Sequence, residues 1–245
     1  MPLLEHTQPL IQDHWGKNKD PKFLDIVSKF DIFCISELHT HKDIPGYTLK
    51  KQKFRPKTHK GPKIGGGIAL YIRQNIANNF KLIPNTNVDS IWIKDTSDDN
   101  RLHLGFYYCS PEDANSNFLE TVNSEIEMHS NYFNTYIFGD FNARTKIQCE
   151  NITSDKFDKE MGIQNNINTP LPSRNSEDLK IVNKRGKDFL DICRINDLCI
   201  ANGRTLGDLF GKYTCHQKKG SSVVDYHVFS YTAFQNIIRL PAHSV

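Results

Sequence analysis

Residues 136–144, YIFGDFNAR, run apolar into a glycine and then offer a carboxylate, Asp140, and an amide, Asn142, two positions apart. Side chains alternate along a strand, so an extended chain sets both on one face. Such a pair can polarise a water and hold an oxyanion, or give oxygen ligands to Mg²⁺. Glycine at 139 lets the backbone turn tightly or a ligand come close. The plainer reading is a turn in which Asp and Asn cap backbone groups, and the four residues alone do not choose. Glu37, His39 and His41 alternate as zinc ligands might, but no fourth ligand accompanies them, and surface histidines are the alternative.

These residues need strands to carry them. Short runs rich in Ile, Val, Phe and Tyr predict strands at 30–38, 67–73, 89–94, 102–110, 135–141, 198–202 and 222–230. Apolar residues at helical spacing predict helices in DPKFLDIVSKF, SNFLETVNSEIEMHSN and RGKDFLDICRIND. Strands alternating with helices give a mixed α/β or α+β domain. Residues 146–180 are polar, Asn-rich and weakly patterned, which predicts a long surface excursion rather than a second domain. The whole chain, 1–245, therefore reads as one domain.

Composition sets the outer limits. With 245 residues, 38% hydrophobic and 24% charged, the chain can bury a core, which excludes wholesale disorder. The net charge is +3, from 31 basic and 28 acidic residues, so any nucleic-acid footprint must come from local clustering. Residues 50–63, KKQKFRPKTHKGPK, are such a cluster, with no acid among them; they read equally as a solvated loop or a phosphate grip. Phe54 within them could stack on a base. Six cysteines form no C-x-x-C pair and sit mostly in apolar runs, as free thiols of a reducing compartment do. No apolar run approaches the ~18 residues that span a bilayer, and the first ten residues lack the basic start of a signal peptide. The expectation is a soluble intracellular protein with no membrane partner.

Taken in order, DIFCISELHT, GGGIALYIR, FYYCSPED, YIFGDFNAR and NGRTLGDLFGKYTCHQKKGSSVVDY resemble motifs of the endonuclease/exonuclease/phosphatase superfamily. The resemblance is specifically to the abasic-site-type endonucleases of LINE-type retrotransposons, and it runs from about Phe30 to Ser230. It implies an α+β fold, a four-layer α/β sandwich of two mainly antiparallel sheets packed face to face and flanked by helices. It implies Mg²⁺, with Mn²⁺ possible, held by Glu37. Asp140 then helps generate the nucleophile, Asn142 orients phosphate and water, and Tyr108 (Tyr107 as second choice) donates to a phosphate oxygen. Asp225 matches the carboxylate that orients a catalytic histidine. The five are expected to converge on one pocket. Nucleic-acid contacts are implied for Lys51, Lys53, Arg55, Lys57, Asn202 and Arg204.

Both ends depart from the family pattern. Asp13, in DHWG, stands where the family carries a metal-side asparagine, on a degenerate N-terminal strand. The closing Ser-Asp-His is absent, and His243 is no evident substitute. The implied function is a monomeric, nuclear DNA endonuclease that nicks target sites by Mg²⁺-assisted hydrolysis, with a reverse transcriptase elsewhere in the parent element. Without the histidine its activity is expected to be reduced. The alternatives are an inactive relic that binds metal or DNA weakly, and a phosphoinositide or sphingomyelin phosphodiesterase.

Overall fold

The computed structural model describes residues 7–12, 21–40, 43–55, 66–97, 102–110, 116–130, 134–150, 171–205, 207–217 and 220–238. The chain forms two compact units, residues 1–114 with 132–141, and residues 115–131 with 142–245. Each unit draws on two separate stretches, so no single cut in the sequence parts them.

The first unit holds β1 (Thr7–Gln12), α1 (Pro21–Val27), β2 (Ile32–Leu38), β3 (Tyr47–Lys53), β4 (Gly67–Arg73), β5 (Phe80–Ile83), β6 (Ser90–Asp95), β7 (Leu102–Tyr108) and β8 (Asn134–Asp140). One sheet runs β1-β2-β4-β3 and a second layer runs β5-β6-β7-β8. Neighbours are antiparallel except β1 with β2 and β7 with β8. The two layers meet face to face, β1 against β8 and β4 against β6. Strands β4 and β7 are buried almost end to end, which is why they read as unbroken apolar runs rather than alternating ones.

Helix α1 covers the outer face of the first sheet. Its Phe23 and Val27 join Phe33, Ile35, Leu38, Tyr47, Ala69 and Tyr71 in one apolar cluster. Burial of each large side chain there contributes about 1.5–3 kcal/mol. Tyr47 anchors the helix end, its hydroxyl reaching the carbonyls of Val27 at 2.7 Å and Phe30 at 2.6 Å. Two glycines in the second layer are there for close approach. A Cβ at Gly105 would fall 2.7 Å from the Trp92 ring, and one at Gly139 would fall 2.4 Å from the Tyr107 carbonyl oxygen.

The second unit holds α2 (Ser116–Ser130), α3 (Lys184–Ile195), β9 (Leu198–Ile200), β10 (Cys215–Gln217), β11 (Gly220–Ser222), β12 (Asp225–Ser230) and α4 (Tyr231–Ile238). β12 pairs antiparallel with β9, and β10 with β11 form a short hairpin. Helix α3 lies on β9 with α2 beside it, and α4 packs on β12 and β9. Asn183 caps α3 by accepting the Gly186 N–H at 2.7 Å, and Phe189, Leu190, Ile192 and Cys193 form its buried face as their spacing predicts. The mixed strand and helix content, with face-to-face β-layers, is the α+β sandwich architecture expected.

β1, at Thr7–Gln12, runs parallel to β2, and its register breaks between Gln8 and Ile11, at Pro9. Proline is tolerated there because β1 is an edge strand. Two expectations need correction. The start of the basic cluster is strand rather than loop: Lys50, Lys51 and Lys53 lie on β3, the opposite edge of the same sheet, where lysines discourage pairing with other chains. The polar excursion is not all surface either, since Glu150, Arg174 and Asp178 at its flanks are buried. Among the described residues no helix is long and apolar enough to cross a membrane.

Candidate functional site

Strand ends build the first cluster. β2 stops with a register shift between Ser36 and Leu38, and Glu37 takes a left-handed backbone conformation there, φ 57°. Gly66 lies directly against it, since a Cβ at 66 would fall 2.9 Å from Glu37 Cα. The parallel register of β7 and β8 aligns Tyr108 with Asp140, and the Cys109 N–H donates to the Asp140 carbonyl at 2.7 Å. Asp140 is 2% exposed. The Tyr108 hydroxyl donates to Glu37 Oε1 at 2.7 Å. Tyr107 instead points into the core, where its oxygen accepts the Trp92 Nε1–H at 3.0 Å. Of the two tyrosines, Tyr108 is the one beside the acid.

Burial, then the hydrogen bond to Glu37 and its charge, push the Tyr108 phenol well above the usual tyrosine range; the Asp140 charge adds to this and Arg55 opposes it. Tyr108 is therefore a standing proton donor at physiological pH. Asp140, at the end of β8, is two residues before Asn142, which has a left-handed backbone, φ 47°. Asparagine accepts that conformation more readily than most residues. The turn is held by Asn183, whose Nδ2 donates to the Asn142 carbonyl at 3.4 Å and whose Oδ1 accepts the Arg144 N–H at 3.0 Å. The cap of α3 and the turn after β8 thus share one side chain.

The second unit positions Asp225 at the head of β12. Thr214 Oγ1 accepts the N–H groups of Val224 at 3.0 Å and Asp225 at 3.1 Å. Asn202 reads the same strand, donating to the Asp225 carbonyl at 3.2 Å and accepting the His227 N–H at 2.9 Å. Burial pushes the Asp225 carboxyl up to about 6, although hydrogen bonding with Thr214 holds it back. Burial pushes the His227 imidazole down to about 4 against the opposing charge of Asp208. Asn202, Asp208, Lys212, Thr214 and His227 line a cavity of about 250 Å³.

The residues assigned to nucleic-acid contact take different places. Arg204 is 5% exposed, its guanidinium paired with Glu150 and bonded to the carbonyls of Ile200 and Pro172. It braces the interior of its unit and faces no solvent. Asn202 spends both ends of its amide on β12. Lys53 Nζ ties down the loop before β6, at 2.6 Å from Asn85 Oδ1 and 2.7 Å from the Asn87 carbonyl. Lys51 is exposed on β3. Asp13, Lys57 and His41 lie outside the described residues, and no group of three metal-capable side chains occurs among those described. Asp89, Thr214, Asn183 and Gly66 were not given roles from sequence. Asp89 carried a signal as an acid leading the apolar run 89–94, and Gly66 and Thr214 lie inside the quoted motifs GGGIALYIR and NGRTLGDLFGKYTCHQKKGSSVVDY.

No protein-family model and no curated protein matches the chain. Solved structures do. The endonuclease domain of TRAS1, a telomere-specific non-LTR retrotransposon, aligns over 92% of this chain and 85% of its own at 14% identity, with a TM-score of 0.55. The human Nocturnin catalytic domain with bound sulfate anion aligns over 89% and 76% at 14% identity, with a TM-score of 0.50. Identity this low speaks for the fold alone. The chain has the endonuclease/exonuclease/phosphatase-type fold.

Proposed function

We propose that this chain hydrolyses phosphodiester bonds in DNA with the help of Mg²⁺, as an endonuclease of retroelement type. The observation that carries the proposal is the Tyr108 hydroxyl at 2.7 Å from Glu37 Oε1, with Asp140 in register beside Tyr108. Two carboxylates and a protonated phenol at adjoining strand ends are the groups such hydrolysis needs. Asp140, almost wholly buried, takes a proton from the attacking water. The Asn142 amide orients the phosphate, and the Tyr108 hydroxyl donates to one of its oxygens as charge builds there. Asp225 is assigned a supporting carboxylate role. DNA as substrate draws support from the retrotransposon endonuclease whose fold this chain shares.

The donor chemistry suits the ion. Glu37 and Asp140 offer hard oxygen ligands, and Mg²⁺ is ordinarily held by one or two carboxylates while keeping several waters. A cluster without three metal-capable side chains is therefore no obstacle. Mn²⁺ accepts the same donors. When bound, the ion supplies charge stabilisation to the phosphate in the transition state. The test is a substrate comparison with Mg²⁺ present: a DNA duplex, sphingomyelin vesicles and phosphatidylinositol 4,5-bisphosphate vesicles. Cleavage of DNA alone supports the proposal. Turnover confined to either lipid would replace it with the lipid phosphodiesterase reading, and turnover of none would leave a binding protein.

A further inference from the structure

Arg55 stands two residues beyond the end of β3, at the start of what the sequence presents as a basic loop. Its Nε donates to Asp89 Oδ1 at 2.6 Å, and the two side chains are only 17% and 11% exposed. The same guanidinium donates from Nη2 to the Tyr108 carbonyl at 3.4 Å, and its Cζ lies 5.1 Å from the centroid of the Tyr108 ring. Asp89 completes the circuit: its carbonyl accepts the Tyr108 N–H at 2.9 Å, and its own N–H is fixed by Asn87 Oδ1 at 2.9 Å. The ion-paired Arg55 thus holds Tyr108 by its carbonyl and its ring face, while the Asp89 main chain holds its amide. The hydroxyl is left to meet Glu37.

We propose that the Arg55–Asp89 pair is a positioning device for the Tyr108 hydroxyl, acting on the hydrolysis through that tyrosine and not by gripping phosphate. The inference rests on the phosphodiesterase reading for its consequence, though not for its geometry. Arginine is required by the arrangement. Its planar fork serves Asp89 and the Tyr108 carbonyl from two nitrogens while its face covers the ring. A lysine keeps the charge but, as a point donor, cannot make all three contacts. The Arg55 charge also opposes the upward push that Glu37 and Asp140 exert on the Tyr108 phenol. Asp89 matters because an unpaired guanidinium would swing toward solvent and release the ring.

Two readouts separate positioning from mere bracing. The first is ¹³C-tyrosine NMR of the full chain, with the Tyr108 signals identified by their loss in Tyr108→Phe. Arg55→Lys and Asp89→Asn are expected to shift those ring signals while leaving the buried Tyr226 signals in place. The second is Mg²⁺-dependent nicking of supercoiled plasmid. Arg55→Lys is expected to lower kcat about 10- to 100-fold with KM little changed, the scale of a catalytic group displaced by about 1 Å. Adding Arg55→Lys to Tyr108→Phe is expected to cost nothing more, because both changes remove one function. Unmoved Tyr108 signals in Arg55→Lys, or losses that add, would overturn the proposal. Should the wild-type chain leave plasmid intact, the phosphodiesterase reading falls, and the ring signals alone decide whether the clamp exists.

Discussion

Gly66→Ala is the smallest change that reaches the centre of the site. A Cβ at this position would sit 2.9 Å from Glu37 Cα, 3.3 Å from its carbonyl carbon and 3.5 Å from its Cβ. Ordinary contact begins near 3.4 Å, so about 0.5 Å must open between β4 and the end of β2. The nearest atoms are backbone and cannot rotate away. Glu37 gives first, because it occupies a register shift and a left-handed conformation that nothing else in β2 shares. Overpacking of this kind costs about 1–3 kcal/mol. At about 2–4 °C per kcal/mol for a chain of this size, the melting temperature is expected to fall by about 2–12 °C. The 2.7 Å contact between Tyr108 and Glu37 should stretch with it, so Mg²⁺ affinity at Glu37 is expected to drop as well. Gly207→Ala is the control, having a backbone without positive φ and nothing within 4 Å of the added methyl. It should stay within about 0.5 kcal/mol of wild type. Differential scanning calorimetry and a Mg²⁺ titration of both variants decide the matter. If Gly66→Ala melts and binds like Gly207→Ala, Gly66 does not set the position of Glu37.

Three further outcomes are expected. Glu150→Gln should destabilise by about 3–5 kcal/mol, because it leaves the guanidinium of Arg204 buried without its carboxylate; a stability unchanged in urea melts would remove that ion pair from the frame. Asp225 and His227 should oppose each other in pH dependence. With its folded value raised to about 6, Asp225 binds a proton more tightly in the native state, so its penalty grows as pH rises from about 4 to about 6. Asp225→Asn should therefore gain on wild type over that window, by at most about 3 kcal/mol. His227, lowered to about 4, penalises the native state as pH falls from about 6.5 to about 4, so His227→Gln should gain on wild type toward acid. Melting curves at pH 4, 5, 6 and 7 that run parallel for all three proteins would contradict both assignments. Finally, Glu37→Ala should weaken Mg²⁺ binding, followed by calorimetry, and an unchanged affinity would take Glu37 out of the site.

What the sequence made legible follows from burial. β2, β4, β7 and β8 are enclosed on both faces or nearly so, and their apolar runs announce them. The pattern alone set Asp140 at the end of such a run, whereas Glu37 and Tyr108 were singled out by the resemblance of their motifs. β3 was hidden because an edge strand needs few apolar residues: Tyr47 and Leu49 face inward while its lysines look like a loop. β1 was hidden by Pro9 and its break in register. The Glu150–Arg204 pair joins residues 54 apart that share no local pattern, and a buried charge leaves no trace in a hydrophobicity count. The Arg55 clamp was invisible for a related reason. Within a basic run an arginine reads as surface charge until Asp89 and Tyr108 are seen around it.

The central claim is that the strand-end cluster of Glu37, Tyr108 and Asp140 carries Mg²⁺-dependent phosphodiester hydrolysis. Its most direct test is conversion of supercoiled plasmid to the nicked form by the full chain, with Mg²⁺ or with EDTA, alongside Asp140→Ala and Tyr108→Phe. The expected result is nicking that needs Mg²⁺ and falls by about two to four orders of magnitude in Asp140→Ala, with a smaller loss in Tyr108→Phe. Nicking at equal rates in wild type and Asp140→Ala, or an equal rate in EDTA, would contradict the claim.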